Sequence, residues 1–344
     1  MIRRYVKKWL HLPSCTTDHL FYTSTAMGGL GLPRLSKSAP CSRINTKRAV
    51  LNSKDENITS FVKTTGIEDE IRDTADKLNI RIPSNPKQPA TWRKNEEKEW
   101  AAQPAAGKGR KHFEHKCSNS WLQAGSKYLR EGDIISALQV RADTYPTRVA
   151  LARADGREDI TCRRCKTAPE TGGHISGHCP AMKGYRINRH NGIVETLCDR
   201  LKSKGWLVSK EPQMRDAEGK LWIPDIIAVK DGKAVLIDPT VVYESNGDAL
   251  SRANQAKVRK YLHLVPVIKE QFGVTEVTVR GLAVGARGGW CKGNAKTMEI
   301  VGLNDKGLHS FICRFALRGT LNLLRIFTDG RGPGARTATA PMGL

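Results

Sequence analysis

The chain has 344 residues, 39% hydrophobic and 26% charged. That is length for about two domains of roughly 150 residues and apolar content for a core, which excludes global disorder. Its 57 Lys and Arg against 34 Asp and Glu give a formal charge of +23, an excess that draws polyanions, nucleic acid first and anionic membrane second. The sequence lacks a continuous apolar run of the ~18 residues that a membrane-spanning helix needs. Its basic start, Met1–Leu10, lacks the apolar stretch of a secretory signal.

In chain order, residues 1–37 are mixed basic and apolar and end in Gly28-Gly29-Leu30-Gly31-Leu32-Pro33, dense in chain-breaking residues. Residues 38–116 are polar and charged, with Pro83, Pro86 and Pro89 and a basic Gly107–His112 loop. They read as a linker with one or two short helices such as Glu68–Leu78. From Trp121 to Val149 the apolar residues recur at roughly helical spacing, a helical linker domain at 117–155. A Cys/His cluster follows, a small module at 156–182, and then an amphipathic helix through Ile187, Val194, Leu197 and Leu201. Short apolar runs at Trp206–Val208, Leu221–Val229, Ala234–Ile237 and Val241–Tyr243 predict strands. A helix over Asp248–Leu264, a strand near Val274–Val284 and a helix over His309–Phe327 complete an α/β domain at 183–327. The Gly- and Pro-rich tail, 328–344, is expected to be disordered.

Nine cysteines in a long chain suit reduced thiols and one local metal cluster better than a disulfide scaffold, which places the protein inside the cell. Cys162 and Cys165, spaced C-x-x-C, put two sulfurs on one turn; His174 and a further residue complete a tetrahedron suited to structural Zn2+. Cys179 and His178 both compete for the fourth place. Arg163 and Arg164, inside the knuckle, and Arg186 and Arg189, just beyond it, are candidates for nucleic-acid binding through phosphate contacts.

The segment Ile223–Asp238 is the most informative. Asp231-Gly232 between two apolar runs is a strong hairpin signal. A hairpin centred there sets Asp225 opposite Asp238 on the same side of the sheet, with Cβ atoms only about 5 Å apart. Two carboxylates that close need a proton or a cation between them. Mg2+ held by carboxylates and a phosphate oxygen is the usual solution in phosphodiester chemistry. On the following helix Leu250, Ala253, Lys257, Tyr261 and Leu264 share one face, so Lys257 points toward the sheet and Lys260 lies at the edge of that face. Such a lysine stabilises a developing phosphate charge. Glu195 is a further acid on the preceding helix, read as a surface residue.

Pro224-Asp225, twelve residues, Asp238, with Ala253-x3-Lys257-x2-Lys260-Tyr261 downstream, resembles the restriction-enzyme-like endonuclease of early-branching non-LTR retrotransposons. The spacing of Cys162, Cys165, His174 and Cys179 is similar to the zinc knuckle upstream of that nuclease, and selects Cys179 over His178. Residues 1–37 resemble the segment after the polymerase thumb. The likeness is greatest to the R-two class, which inserts in ribosomal RNA genes. The resemblance implies a restriction-endonuclease-like mixed sheet flanked by helices and a nuclear, Mg2+-dependent enzyme. Its catalytic group would comprise Asp225, Asp238 and Lys257 or Lys260, and it would nick double-stranded target DNA so that the freed 3′ end primes reverse transcription of the element RNA. The usual lysine two residues after the second acid is replaced by Thr240, and the chain holds no Ala-Asp-Asp polymerase signature. It therefore reads as a carboxy-terminal piece of a longer polyprotein that works with its upstream polymerase region. The rival readings are a non-catalytic nucleic-acid-binding module that uses the knuckle and basic surface, and an inactive remnant that does not fold.

Overall fold

A computed structural model describes residues 2–62, 64–85, 87–123 and 127–330. The expected tail therefore lies largely outside the described residues, although Thr328 and Asp329 belong to the last helix. The chain forms two compact units, Thr17–Gln103 and Met1–Thr16 with Pro104–Leu344.

In the unit Thr17–Gln103, which overlaps the linker expected at 38–116, the expected short helix at Glu68–Leu78 is present as Ile67–Leu78, but it belongs to a packed helical unit. Helices Leu35–Leu51, Glu56–Val62, Ile67–Leu78 and Arg93–Ala101 surround buried Leu20, Phe21, Ile44, Ile71, Trp92 and Trp100. The proline-rich stretch is structural: the Arg48 guanidinium donates to the carbonyls of Pro83, Asn85 and Gln88 at 2.7–3.1 Å. The core has few apolar residues, and they are far apart in sequence, so periodicity is weak and polar spacers dominate the composition.

The second unit is built on a four-stranded mixed sheet in the order β1-β4-β5-β6. Its strands are β1 Leu207–Lys210, β4 Ile226–Lys230, β5 Lys233–Val242 and β6 Glu276–Gly285, while β2 Met214–Arg215 and β3 Leu221–Trp222 form a separate ribbon. β1–β4 and β4–β5 are antiparallel and β5–β6 parallel. Alternation along each strand sends residues to opposite faces. Ile226, Ala228, Val235 and Ile237 pack with helices Lys183–Ser203 and Lys306–Asp329. Ile227, Ala234 and Leu236 pack on the other side with residues of Ala249–Tyr261 and Val265–Phe272. The result is a mixed sheet between two helical layers.

Four details depart from the predicted elements. The run Leu221–Val229 is broken at Ile223-Pro224-Asp225, and the two runs expected at Ala234–Ile237 and Val241–Tyr243 form one strand, Lys233–Val242. Pro239 is tolerated in β5 because pairing with β4 ends at Ile237, leaving that edge free of ladder bonds. Helices Val265–Phe272 and Asn294–Ile300 were not expected. The helical linker region is real but divided into Ser120–Gln123, Glu131–Arg141 and Arg148–Asp155.

The Gly107–His112 segment, expected as a basic loop, enters a 3-10 turn with Arg110 and His112 buried. Gly109, at φ 70°, has no room for a side chain: a Cβ there would meet the Glu244 carbonyl oxygen at 2.0 Å. Glu244 is wholly buried. Its carboxylate accepts from the backbone N–H groups of Arg287 and Gly289 and faces the Arg287 guanidinium. Arg141, also buried, donates to Asn119 Oδ1 at 2.6 Å and to the Arg287 carbonyl at 3.3 Å. Burial pushes the Arg141 guanidinium down to about 9, against the pull of Glu244. Removing Glu244 strands two buried cations, so Glu244→Ala is expected to cost about 3–5 kcal/mol in urea unfolding. A loss under ~1 kcal/mol would contradict this account.

Candidate functional site

The β4–β5 hairpin turns through Asp231 and Gly232, both at positive φ (51° and 70°), as a two-residue turn of this sequence requires. Pairing runs from Lys230↔Lys233 to Ile226↔Ile237. One step further along this register lie Asp225 and Asp238, the geometry expected from the sequence. Asp225 is just outside β4, and its carbonyl accepts from the Glu211 N–H at 2.9 Å. Asp238 lies within β5 and is 1% exposed; the Asp225 side chain is 16% exposed.

The lysine helix Ala249–Tyr261 covers this end of the sheet, with Leu250 and Tyr261 buried. Lys257 Nζ lies 2.5 Å from Asp238 Oδ1, an ion pair outside hydrogen-bond alignment. Burial raises the Asp238 carboxyl pKa; neighbouring Asp225 raises it further, and Lys257 and Tyr261 oppose. Lys260 is exposed and donates to the Tyr261 hydroxyl at 2.7 Å. That hydroxyl in turn donates to the Ile223 carbonyl at 3.3 Å. Of the two candidate lysines, Lys257 meets the acid pair directly. Glu195 is exposed and pairs with Lys210 at 3.3 Å, away from the pair. Sequence reasoning missed His190, whose Nε2 lies 3.2 Å from Asp225 Oδ1. Asp225 Oδ2 is buried without a hydrogen-bond donor, and its neighbour Asp238 is a like charge, so the pair suits a cation.

The Cys162, Cys165, His174 and Cys179 ligand atoms all lie within 4.8 Å of one another. Cys162 Sγ and Cys179 Sγ are 3.9 Å apart, and Cys165 Sγ and His174 Nε2 3.2 Å. Thiolates on a zinc tetrahedron with bonds of about 2.3 Å stand ~3.8 Å apart, so the set fits Zn2+. Thr171 caps the helix Gly172–Gly177 by accepting from His174 N–H at 2.9 Å. His178 is exposed and outside the cluster. Gly172 and Gly173 open this helix against the Tyr243 side chain, which a Cβ at either position would meet at 3.2 Å.

The four candidate phosphate-binding arginines divide. Arg189 is 5% exposed and its guanidinium donates to Thr320 Oγ1 and the Ser176 carbonyl. It therefore cannot face a phosphate, which corrects the expectation: the positive charge is spent joining helices. Arg163 binds buried Glu170 through its guanidinium, and Arg164 donates to the Phe327 carbonyl at 3.0 Å. Arg186 remains partly exposed, with one buried guanidinium nitrogen. Among the described residues no helix is long and apolar enough to cross a membrane.

No family model matches the chain. Over nearly its whole length, however, it is homologous to the Pol polyproteins of retrotransposable elements. The elements concerned are R2. The chain is 25% identical over 335 residues to the retrovirus-related Pol polyprotein from type-1 retrotransposable element R2 of Bradysia coprophila, covering 94% of this chain and 37% of that protein. It is 26% identical over 335 residues to the Pol polyprotein from type-2 retrotransposable element R2DM of Drosophila melanogaster, covering 95% and 31%. With a type-1 R2 polyprotein of Popillia japonica it shares 27% over 361 residues, covering 97% and 70%. The chain thus spans about a third of the length of the first two relatives.

Proposed function

We propose that residues 183–327 form a restriction-endonuclease-like, Mg2+-dependent DNA endonuclease within an R2-type polyprotein, nicking double-stranded target DNA in the nucleus to prime reverse transcription of the element RNA. The observation that carries this reading is buried Asp238 beside half-buried Asp225, with Lys257 against the pair and an oxygen of each carboxylate buried without a hydrogen-bond donor. Asp225 and Asp238 would hold the Mg2+. When bound, such an ion polarises the phosphodiester and makes its water a stronger nucleophile. Lys257, on a helix anchored by buried Leu250 and Tyr261, offsets carboxylate charge and stabilises charge developing on the phosphate. Tyr261 orders the same corner by bridging Lys260 and the Ile223 carbonyl. The Cys162, Cys165, His174 and Cys179 group would hold structural Zn2+, its four ligands leaving no open position for chemistry. The formal charge of +23 supports salt-sensitive attachment to the nucleic-acid backbone. The upstream polymerase region of the polyprotein is the natural partner, since the freed 3′ end is its primer.

The test is nicking of supercoiled plasmid by the purified chain with Mg2+ and with EDTA. Nicking that EDTA abolishes supports the proposal. In the same assay Lys257→Ala is expected to slow nicking by about 10²–10³-fold, and Lys260→Ala by far less. Retention of DNA with no nicking under any metal would favour the binding-module reading.

A further inference from the structure

The two acids are not held equally. Asp238 sits inside β5 and faces Lys257, whereas Asp225 precedes the first residue of β4 and lies outside the antiparallel ladder. Among the described residues its side chain pairs with one cationic group, His190, at 3.2 Å, and its second oxygen has no donor. Repulsion from Asp238 would turn an unrestrained Asp225 toward solvent.

His190 is on the helix Lys183–Ser203, which is fixed on either side of it. The preceding residue, Arg189, is buried and ties the helix to Thr320 and to the Ser176 carbonyl. Gly319 makes room for it: a Cβ there would lie 2.6 Å from Arg189 Cγ. Two residues after His190, Gly192 admits the Phe315 ring, which a Cβ would meet at 2.3 Å. The imidazole is thus carried on a rigid support, and its side chain is 29% exposed. Its Nε2 faces Asp225 Oδ1 at 3.2 Å and leaves Oδ2 available.

We infer that His190 is a positioning residue that holds the Asp225 carboxylate in the acid pair. The inference rests on reading that pair as a nuclease metal centre. Residues that orient metal-binding carboxylates typically change metal affinity or activity by about 10–100-fold when removed.

The experiment compares the full chain with its His190→Ala and His190→Gln variants. Plasmid nicking is followed across DNA concentrations, and Mn2+ binding without DNA by electron paramagnetic resonance. Expected for His190→Ala are a kcat lowered at least ~10-fold at unchanged KM for DNA and Mn2+ affinity weakened in parallel. His190→Gln, which keeps an N–H donor, should recover most of both. His190→Ala behaving as the unaltered chain would overturn the inference. So would a Gln variant as defective as Ala, with a changed preference between Mn2+ and Mg2+, because His190 would then be a ligand. If the unaltered chain does not nick, the nuclease reading fails, while Mn2+ binding still decides whether His190 holds Asp225.

Discussion

Asp238→Asn is expected to abolish nicking and, in metal-free protein at neutral pH, to raise the melting temperature. The first effect follows from losing a carboxylate that would hold the metal, a loss of several kcal/mol of transition-state stabilisation, or about 10³-fold or more in rate. The second follows from the environment of the acid. Burial, then Asp225, raises its pKa in the folded chain. A carboxyl with a raised folded-state pKa contributes stability that is full below the unfolded pKa and disappears as pH rises through the folded value. At neutral pH the wild-type site therefore carries an unfavourable ionisation that Asn removes. Lys257, with a side chain 26% exposed, loses its partner but can turn to water. Adding Mg2+ should stabilise the wild type and leave the Asn variant unchanged, because only a folded, charged pair gains from binding. Scanning calorimetry in EDTA and in Mg2+ reads both effects. A variant that melts lower than wild type in EDTA would show that Asp238 is there for the fold.

The second large effect concerns the knuckle. Structural Zn2+ in small modules supplies about 10–16 kcal/mol of apparent binding free energy, all of it folding energy. Cys162 and Cys179 are fully buried, and burial pushes the Cys179 thiol up to about 11, so without a metal their packing has little to replace it. A strong chelator should therefore unfold residues 161–182 while β4 and β5 stay folded. Amide exchange followed by mass spectrometry tests this: protection should vanish across the knuckle and persist at Ile226–Lys230 and Ala234–Ile237. Exchange should also rise at the end of the long helix, where Arg164 holds the Phe327 carbonyl. Loss of protection throughout the sheet would mean that the knuckle cannot be separated from it.

What was legible in the sequence was local. Asp231-Gly232 fixed the turn, and the turn fixed the register that brings Asp225 toward Asp238. The face through Leu250, Lys257 and Tyr261 gave the lysine helix its orientation. The C-x-x-C spacing marked the knuckle. What escaped depends on contacts between distant segments. His190 meets Asp225 across a sequence separation of 35 residues, and nothing beside His190 in the sequence marks it. Arg189 looked like a phosphate contact, since basic charge next to a knuckle reads that way, yet Ser176 and Thr320 bury it. Pro239 and Asp238 seemed to end a strand, but the parallel partner β6 continues it. Val265–Phe272 and Asn294–Ile300 are too short to show a helical period convincingly. In Thr17–Gln103 the helix at Ile67–Leu78 was legible as Glu68–Leu78, while the others were hidden by the charged residues between their few core side chains.

The buried cluster of Glu244, Arg287 and Arg141 bears on how this protein can be shortened. Arg141 belongs to the segment ahead of the knuckle and Glu244 to the loop just after β5, so the cysteine cluster interrupts one cooperative body instead of separating two. A piece beginning at the knuckle would lack Phe113 and Trp121 from its core and leave Glu244 without the cation from Arg141. A shortened chain that keeps Asp225 and Asp238 in their folded setting should therefore keep the residues from Pro104 onward.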